Sequence, residues 1–330
     1  MIQAYTLRDG RVERCEVGKV TPLPPDALWL DVVEPTPEDR RQIEAVYRIV
    51  LPTREEVREI EPSDRLYVEH GARFMTATIL VHADAPMPKS ESMTFILTGS
   101  GLITLRYVEP RPVSTFAGRL LRRQEICNSG EEVLVGLLEA FVDRIADVLE
   151  KVSLDLDQLS QNIFDEQAAG PRRRPGRQDL RSIIRTLGRN DDLVSTVRES
   201  LLSLTRVIRF LTPTLAGTGE KAGKEVRNRL KEARSDINSL NEHAAFESHK
   251  VNFLLDATLG MINIEQNSII KIFSVVAVVF LPPTLVASIY GMNFDFMPEL
   301  GWRLGYPWAL GLMLLSAVVP LLYFRRKGWL

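Results

Sequence analysis

The sequence predicts an oligomeric α-helical membrane protein, with an α/β cytoplasmic domain, a long helical stalk and two transmembrane helices at the carboxyl end. Charged residues make up 25% of the 330. They dominate the chain as far as Lys271 and nearly vanish between Ile272 and Phe324. The early part alternates strand-like runs with capped helices, whereas the chain from about Glu131 shows the three-and-four spacing typical of helices.

The amino-terminal domain, residues 1–125, is predicted from local signals. Asp9 and Gly10 lie between two candidate strands and are typical of a tight hairpin turn. Thr36 and Thr53 each precede a helix-like run with an acid three residues later, which is the pattern of a capping box. Runs rich in β-branched and aromatic residues predict strands at 67–68, 74–81, 93–98 and 102–107.

Residues 126–268 are predicted to form cytoplasmic helices and a long stalk. A loop with two prolines and two glycines interrupts the helical pattern at 170–176. A second helix is expected to end near Phe210. The third stretch begins near Glu220 and contains no proline before Pro282. At 1.5 Å per residue, its roughly seventy residues reach about 100 Å, so this helix needs support from neighbouring elements.

Two segments, residues 269–290 and 306–324, are almost entirely apolar and long enough to cross a hydrocarbon core of about 30 Å. Lys271, near the start of the first, can extend its ammonium group to the interface. The tail, 325–330, begins Arg-Arg-Lys, whereas the loop at 291–305 carries little positive charge. Because cations mark the cytoplasmic side, we expect the loop outside and both termini in the cytoplasm. The alternative is a buried helical hairpin in a soluble protein.

Two membrane helices cannot enclose a water-filled pore, so transport would require an oligomer. At 100° per residue, seven residues near the first span fall within an arc of about 100° that mixes small or hydroxylated side chains with two apolar positions. This candidate pore stripe consists of Asn267, Ile270, Ser274, Ala277, Leu281, Thr284 and Ser288. The alternative is that its serine and threonine side chains only help helices to pack.

Other classes of function lack their characteristic residues. The net charge is −2 and no basic stripe alternates with aromatic residues, so we expect no nucleic acid partner. Cys15 and Cys127 stand alone, without the spacing of a disulfide framework or a zinc knuckle. Residues 217–224 imitate a P-loop, but the spacing fails and Glu225 replaces the required Ser or Thr, so no nucleotide is expected. Without a nucleophile, base and acid in combination, the sequence predicts no enzyme, no catalytic residues and no catalytic cofactor.

The loop after the first span contains the motif Tyr290-Gly291-Met292-Asn293-Phe294, followed by Met297-Pro298-Glu299-Leu300. With the two spans and the basic tail, this motif resembles the CorA magnesium and cobalt transporters, whose signature is Gly-Met-Asn after the first membrane helix. The close resemblance covers roughly residues 250–330. It implies a homopentamer in the cell inner membrane, with a funnel-shaped cytoplasmic domain and five first spans around the pore.

The resemblance further implies passive influx of Mg²⁺, and of Co²⁺ or Ni²⁺, driven by the membrane potential and gated by cytoplasmic Mg²⁺. Mg²⁺ is then both the substrate and a regulatory ligand. Gly291, Met292 and Asn293 are the expected ion entrance. Since Mg²⁺ gives up its waters reluctantly, a neutral amide oxygen of Asn293 that accepts hydrogen bonds from the hydrated ion avoids the cost of dehydration.

Five members of the candidate pore stripe match positions that line the pore in this family: Asn267, Ile270, Leu281, Thr284 and Ser288. Ser288 replaces the usual glycine, and Ile270 and Leu281 replace methionines found in some members. These departures concern the constrictions of the pore rather than the class of protein.

Four acids are implied as regulatory metal ligands between subunits. Asp256 matches such a position on the stalk, Glu232 falls near another, and Glu55 and Glu56 resemble the partner acids of the amino-terminal domain. The alternative is ordinary solvated charge.

Two other functions stay open at the level of sequence. The chain could be a zinc transporter of the same superfamily, or a membrane-tethered metal sensor that transports nothing. His243, Glu247 and His249 could also form a zinc cluster, although the polarity of a helix surface accounts for them more simply.

Overall fold

The computed structural model describes residues 1–17, 22–59, 61–85, 87–164, 177–213, 221–293 and 297–329. The chain divides into two compact units, Met1–Leu255 and Asp256–Leu330. The first unit is an α/β domain with long helices, and the second holds two apolar helices, as predicted.

A mixed sheet forms the centre of the first unit. Its seven described strands are β1 (Ile2–Arg8), β2 (Arg11–Val17), β3 (Trp29–Val33), β4 (Leu66–Glu69), β5 (Ala72–Val81), β6 (Lys89–Leu97) and β7 (Leu102–Arg106). Their order across the sheet is β2-β1-β3-β7-β6-β5-β4. The pair β3 and β7 is parallel and the other neighbours are antiparallel.

The first hairpin forms at the predicted turn. Asp9 and Gly10 have φ angles of 48° and 68°, which place both residues in the left-handed region that a two-residue hairpin turn requires. The turn pairs Arg8 with Arg11 and sets the register of β1 against β2. The Asp9-Gly10 prediction is confirmed.

The described helices are α1 (Pro37–Tyr47), α2 (Arg54–Val57), α3 (Pro62–Arg65), α4 (Arg111–Leu121), α5 (Gly130–Phe164), α6 (Arg177–Leu211), α7 (Lys221–Tyr290) and α8 (Gly305–Arg326), with a 3-10 turn at Pro298–Gly301. Thr36 and Thr53 each form the predicted capping box. The loop predicted at 170–176 lies outside the described residues.

Helices cover both faces of the sheet. On one face, Leu30, Ile103 and Phe74 share a buried cluster with Ile43 of α1 and Val57 of α2. On the other face, the ring of Trp29 meets Phe116 of α4 at 5.8 Å, and Phe95 meets Phe141 of α5 at 6.3 Å. The alternation of side chains along each strand produces this three-layer arrangement.

Strand β3 and helix α4 were not predicted from the sequence. Strand β3 carries a buried charge. Its Asp31 pairs with Arg106 at 2.8 Å and accepts a hydrogen bond from Thr104 at 2.8 Å. All three side chains are buried. An aspartate within a short apolar run argues against a buried strand unless the partner of its charge is known. Because Arg106 lies 75 residues away, the sequence does not reveal this partner.

The stalk helix α7 runs beside α5, in the same direction. Lys250 pairs with Asp157 at 2.7 Å, and the rings of Phe253 and Phe164 stack at 5.9 Å. These contacts supply the lateral support that the length of α7 demands.

Glu247 of α7 is fully buried and accepts a hydrogen bond from Ser153 of α5 at 2.8 Å. His243 approaches the same carboxylate at 3.6 Å. Within the described residues no group of three metal-binding side chains forms, so His243, Glu247 and His249 do not form a zinc cluster there.

Arg229 anchors the amino-terminal part of α7 to α5 and to Glu125. Its guanidinium group donates to Glu139 of α5 and to Glu125, each at 2.9 Å. Hydrogen bonds and charge attraction from Glu139, reinforced by Glu125, raise the pKa of Arg229 despite partial burial. Arg229 therefore stays charged and neutralises two carboxylates.

Replacing Arg229 with Met should destabilise the protein by about 1–3 kcal/mol, because Glu139 and Glu125 lose their shared cation. The loss is moderate because a quarter of the Arg229 side chain is exposed, so solvent screens the interaction. For a unit of this size, we expect the melting temperature in detergent to fall by about 2–10 °C. Arg234→Met, at an exposed position of the same helix, is the matched control. Equal melting temperatures for the two variants would contradict the anchoring role.

Candidate functional site

The second unit contains two helices that are long and apolar enough to cross a membrane, the carboxyl-terminal part of α7 and all of α8. Only 6% of the most apolar 18-residue stretch of each is buried. Phe273 and Phe280 are 70% and 67% exposed. A helical hairpin inside a soluble protein would bury such side chains, so the exposure favours lipid as their surroundings.

One side of the membrane part of α7 is covered. Val275 is 4% exposed, and Val279, Pro282 and Val286 are half-buried. These residues are three or four positions apart, so they share one side of the helix. We call them the covered face of α7.

The candidate pore stripe lies on the other side of α7. Taking 100° per residue, its centre is roughly 150° from the centre of the covered face. All seven members are exposed in the single chain: Asn267, Ile270, Ser274, Ala277, Leu281, Thr284 and Ser288. The stripe is therefore free to face another copy of the chain, a pore or lipid.

Polar groups on this stretch of α7 make lipid an unfavourable neighbour. The Thr284 hydroxyl donates to the carbonyl of Phe280 at 2.7 Å, which satisfies one of them. Pro282 and Pro283 lie inside the helix and have no N–H, so the carbonyl oxygens one turn earlier lack their usual helical donors. In a membrane such oxygens need protein or water beside them.

The predicted ion entrance follows directly on this helix. The amide of Gly291 donates to the carbonyl of Ala287 at 2.9 Å, and that of Met292 donates to Ile289 at 3.3 Å, so the helical bonding extends past Tyr290. A Cβ atom on Gly291 would lie 3.1 Å from the Ala287 oxygen. A side chain at this position would therefore require the end of the helix to shift by a few tenths of an ångström.

Met292 and Asn293 are both exposed at the end of α7. The Asn293 side chain is thus available to an approaching ion. Phe294 and Asp295, which belong to the same loop, lie outside the described residues. Beyond them, Trp302 and Trp308 lie 6.3 Å apart where α8 begins, a position typical of an aromatic belt at the membrane interface.

The four predicted regulatory acids are all exposed. Glu232 lies on the part of α7 that belongs to the first unit, and Asp256 lies where the second unit begins. Glu55 and Glu56 lie on α2, where Glu56 accepts a hydrogen bond from the amide of Thr53 at 2.7 Å. That bond occupies part of the Glu56 carboxylate and leaves Glu55 the freer of the two.

Comparison with known families decides the class of protein. The family model described as CorA-like Mg²⁺ transporter protein matches residues 26–326, nearly the whole chain. The chain belongs to this family.

Relatives of this CorA-like chain match it from end to end. It is 38% identical over 333 residues to the magnesium transport protein CorA of Pasteurella multocida, with all of both chains covered. It is 36% identical over 330 residues to the protein of the same name from Escherichia coli K12, again over the full length of both. The solved structure of the CorA magnesium transporter from Methanocaldococcus jannaschii matches with a TM-score of 0.75 and 18% identity, over 100% of this chain and 99% of that one. The structural likeness confirms the predicted fold.

Sequence reasoning missed the covered face of α7 and the contacts that hold the stalk. The signal for one of these contacts was present, because Glu247 interrupts the apolar spacing of α7. A carboxylate at such a position indicates a buried polar partner, and Ser153 is that partner.

The candidate pore stripe can be tested by its access to water in the CorA-like protein. In a Cys15→Ser background, Ser274→Cys and Ala277→Cys should react quickly with a charged thiol reagent, whereas Val275→Cys on the covered face should not. Burial raises the pKa of the remaining Cys127 thiol to about 12, which keeps it unreactive. Labelling rates are read by mass spectrometry, and equal rates at positions 274, 275 and 277 would contradict the assignment.

Proposed function

We propose that this chain assembles as a homopentamer in the cell inner membrane and conducts Mg²⁺ into the cytoplasm, with both of its termini on the cytoplasmic side. The observation that carries the proposal is the exposed polar stripe of α7, which leads to the Gly291-Met292-Asn293 loop in a chain of the CorA-like family. The full-length relatives named magnesium transport proteins support Mg²⁺ as the ion. Zinc transport and sensing without transport receive no such support.

Assembly follows from the physical state of α7 in a single chain. The stripe carries Asn267, Ser274, Thr284 and Ser288, and all four are exposed. In lipid the side chains of Asn267, Ser274 and Ser288 and the carbonyls freed by the two prolines would lack partners, whereas the Thr284 hydroxyl keeps its bond to the carbonyl of Phe280. Several α7 helices arranged around one axis give the stripe a water-filled interior and leave flanking side chains such as Phe273 and Phe280 for lipid or neighbouring subunits.

Asn293 supplies the contact at the entrance. Its exposed amide oxygen can accept hydrogen bonds from the waters of a hydrated Mg²⁺, so the ion enters with its hydration shell intact. A ring of such amides is neutral, and it therefore holds the ion weakly enough for the ion to move on.

The membrane potential supplies the driving force. At about 100 mV, negative inside, a divalent cation gains about 4.6 kcal/mol on entry, twice the roughly 2.3 kcal/mol for a single charge. Influx of Mg²⁺ therefore needs no chemical fuel.

The exposed acids suit a regulatory role between subunits. Asp256, Glu232 and Glu55 carry carboxylates that are free to meet a neighbouring copy, whereas Glu56 is partly engaged in its capping box. When cytoplasmic Mg²⁺ is scarce, facing carboxylates repel one another, and when it is abundant, bound Mg²⁺ draws them together. Closure of the channel by its own substrate follows from this arrangement.

Asn293→Ala should nearly abolish Mg²⁺ uptake into liposomes, because the hydrated ion loses its hydrogen-bond acceptor at the entrance. Uptake is followed with an enclosed fluorescent Mg²⁺ indicator. Asn252→Ala, at an exposed position of the stalk, controls for loss of an asparagine elsewhere. Size-exclusion chromatography checks that both variants keep the oligomer, and wild-type uptake by Asn293→Ala would refute the entrance role.

Asp256→Asn should raise the internal Mg²⁺ concentration that is needed to close the channel, since one carboxylate per subunit no longer attracts the ion. The measurement is uptake into liposomes preloaded with graded Mg²⁺ concentrations. Glu242→Gln removes an exposed charge from the same helix and should leave the closing concentration unchanged. An identical shift in both variants would indicate a general charge effect in place of a site.

A further inference from the structure

Four cations gather at one end of the second unit. Arg325, Arg326 and Lys327 end α8, and Lys271 lies on α7. The ammonium group of Lys271 lies 5.9 Å from the centre of the Trp329 ring, and that of Lys327 lies 5.3 Å from the same ring. The indole therefore holds the cations of two different helices close together. We call these four cations and Trp329 the basic-aromatic cluster.

The position of Trp329 is built into the end of α8. The amide of Trp329 donates to the carbonyl of Phe324 at 3.1 Å, and that of Gly328 donates to Arg325 at 3.2 Å. Gly328 has a φ of 70°, and the rings of Phe324 and Trp329 stack at 5.2 Å. Together these features form a Schellman motif with its apolar contact, so Trp329 is fixed by the backbone of the helix.

The positive charge of the cluster has no acidic partner within the described residues. All four cations are exposed, and no described carboxylate forms an ion pair with any of them. The ammonium groups of Lys271 and Lys327, which both approach the ring of Trp329, repel one another unless an anion lies between them.

The depth of the cluster indicates which anion. Lys271 lies at the start of one apolar span, and Arg325 directly follows the apolar part of the other. Both therefore lie at the level of the lipid headgroups, where phosphate is the abundant anion. The ring of Tyr323, 5.7 Å from the Lys327 ammonium, adds an amphipathic surface of the kind that is enriched at this level.

We propose that the basic-aromatic cluster binds the headgroup phosphate of an anionic phospholipid in the leaflet that faces the basic tail. The bound phosphate bridges Lys271 of α7 to Arg325, Arg326 and Lys327 of α8, and Trp329 keeps the two sets of cations in reach of one headgroup. The lipid thereby ties the start of the proposed pore helix to the end of α8. Only the assignment of this leaflet to the cytoplasm rests on the proposed function.

The test is a lipid titration of the purified full-length protein in a neutral detergent, read by native mass spectrometry. Phosphatidylglycerol should bind at least about tenfold more tightly than phosphatidylcholine. Lys271→Gln and Lys327→Gln should each weaken phosphatidylglycerol binding by about fivefold, and Lys271→Arg should restore it. Arg303→Gln, at the other end of α8, should leave binding unchanged.

Three results would overturn the proposal. The first is equal binding of phosphatidylglycerol and phosphatidylcholine. The second is an equal loss of phosphatidylglycerol binding in Arg303→Gln and Lys271→Gln. The third is competition by millimolar glycerol phosphate as effective as that by the lipid, which would identify a site for free phosphate. If Lys271→Gln loses binding because position 271 does not tolerate a change in structure, Lys271→Arg loses phosphatidylglycerol binding as well. Trp329→Leu then provides a second variant, which should weaken phosphatidylglycerol binding while every charge stays in place. Mg²⁺ uptake is measured separately in phosphatidylcholine liposomes, so a failure to transport is distinguished from a failure to bind lipid.

Discussion

The constraint on which the rest of the structure depends is that lipid offers no hydrogen-bond partners to a polar helix surface. One side of the membrane part of α7 is covered, and the opposite side, which carries the polar side chains of Asn267, Ser274 and Ser288, is exposed. A single chain cannot satisfy these groups in a membrane, and a ring of chains around water can. Membership of the CorA-like family, oligomer formation and ion conduction are all consistent with this one requirement.

The first unit supports a large part of a 70-residue helix. Apolar packing alone would let α7 slide along α5, whereas specific polar contacts fix its register. Arg229 meets Glu139 near one end, and the buried Glu247 meets Ser153 further along. Helix α7 continues without a break from the first unit into the second.

The sequence predicts best what depends on neighbouring residues. The Asp9-Gly10 turn, the two capping boxes and both membrane helices were predicted because turn chemistry, side-chain caps and apolar length act over a few residues or one helix. Strand β3 was missed because Asp31 can be buried in it only when its charge is paired with Arg106, which is distant in sequence. The covered face of α7 was missed because it depends on packing. The regulatory role of Asp256, Glu232, Glu55 and Glu56 stays a prediction, since it depends on contacts between subunits.

The central claim is that Mg²⁺ crosses the membrane passively through the assembled α7 helices. It is tested most directly by Mg²⁺ uptake of the purified wild-type protein in liposomes under a potassium diffusion potential set with valinomycin. Mg²⁺ uptake should grow as the interior becomes more negative and should proceed without nucleotide. No uptake, or uptake that is indifferent to the imposed potential, would contradict it.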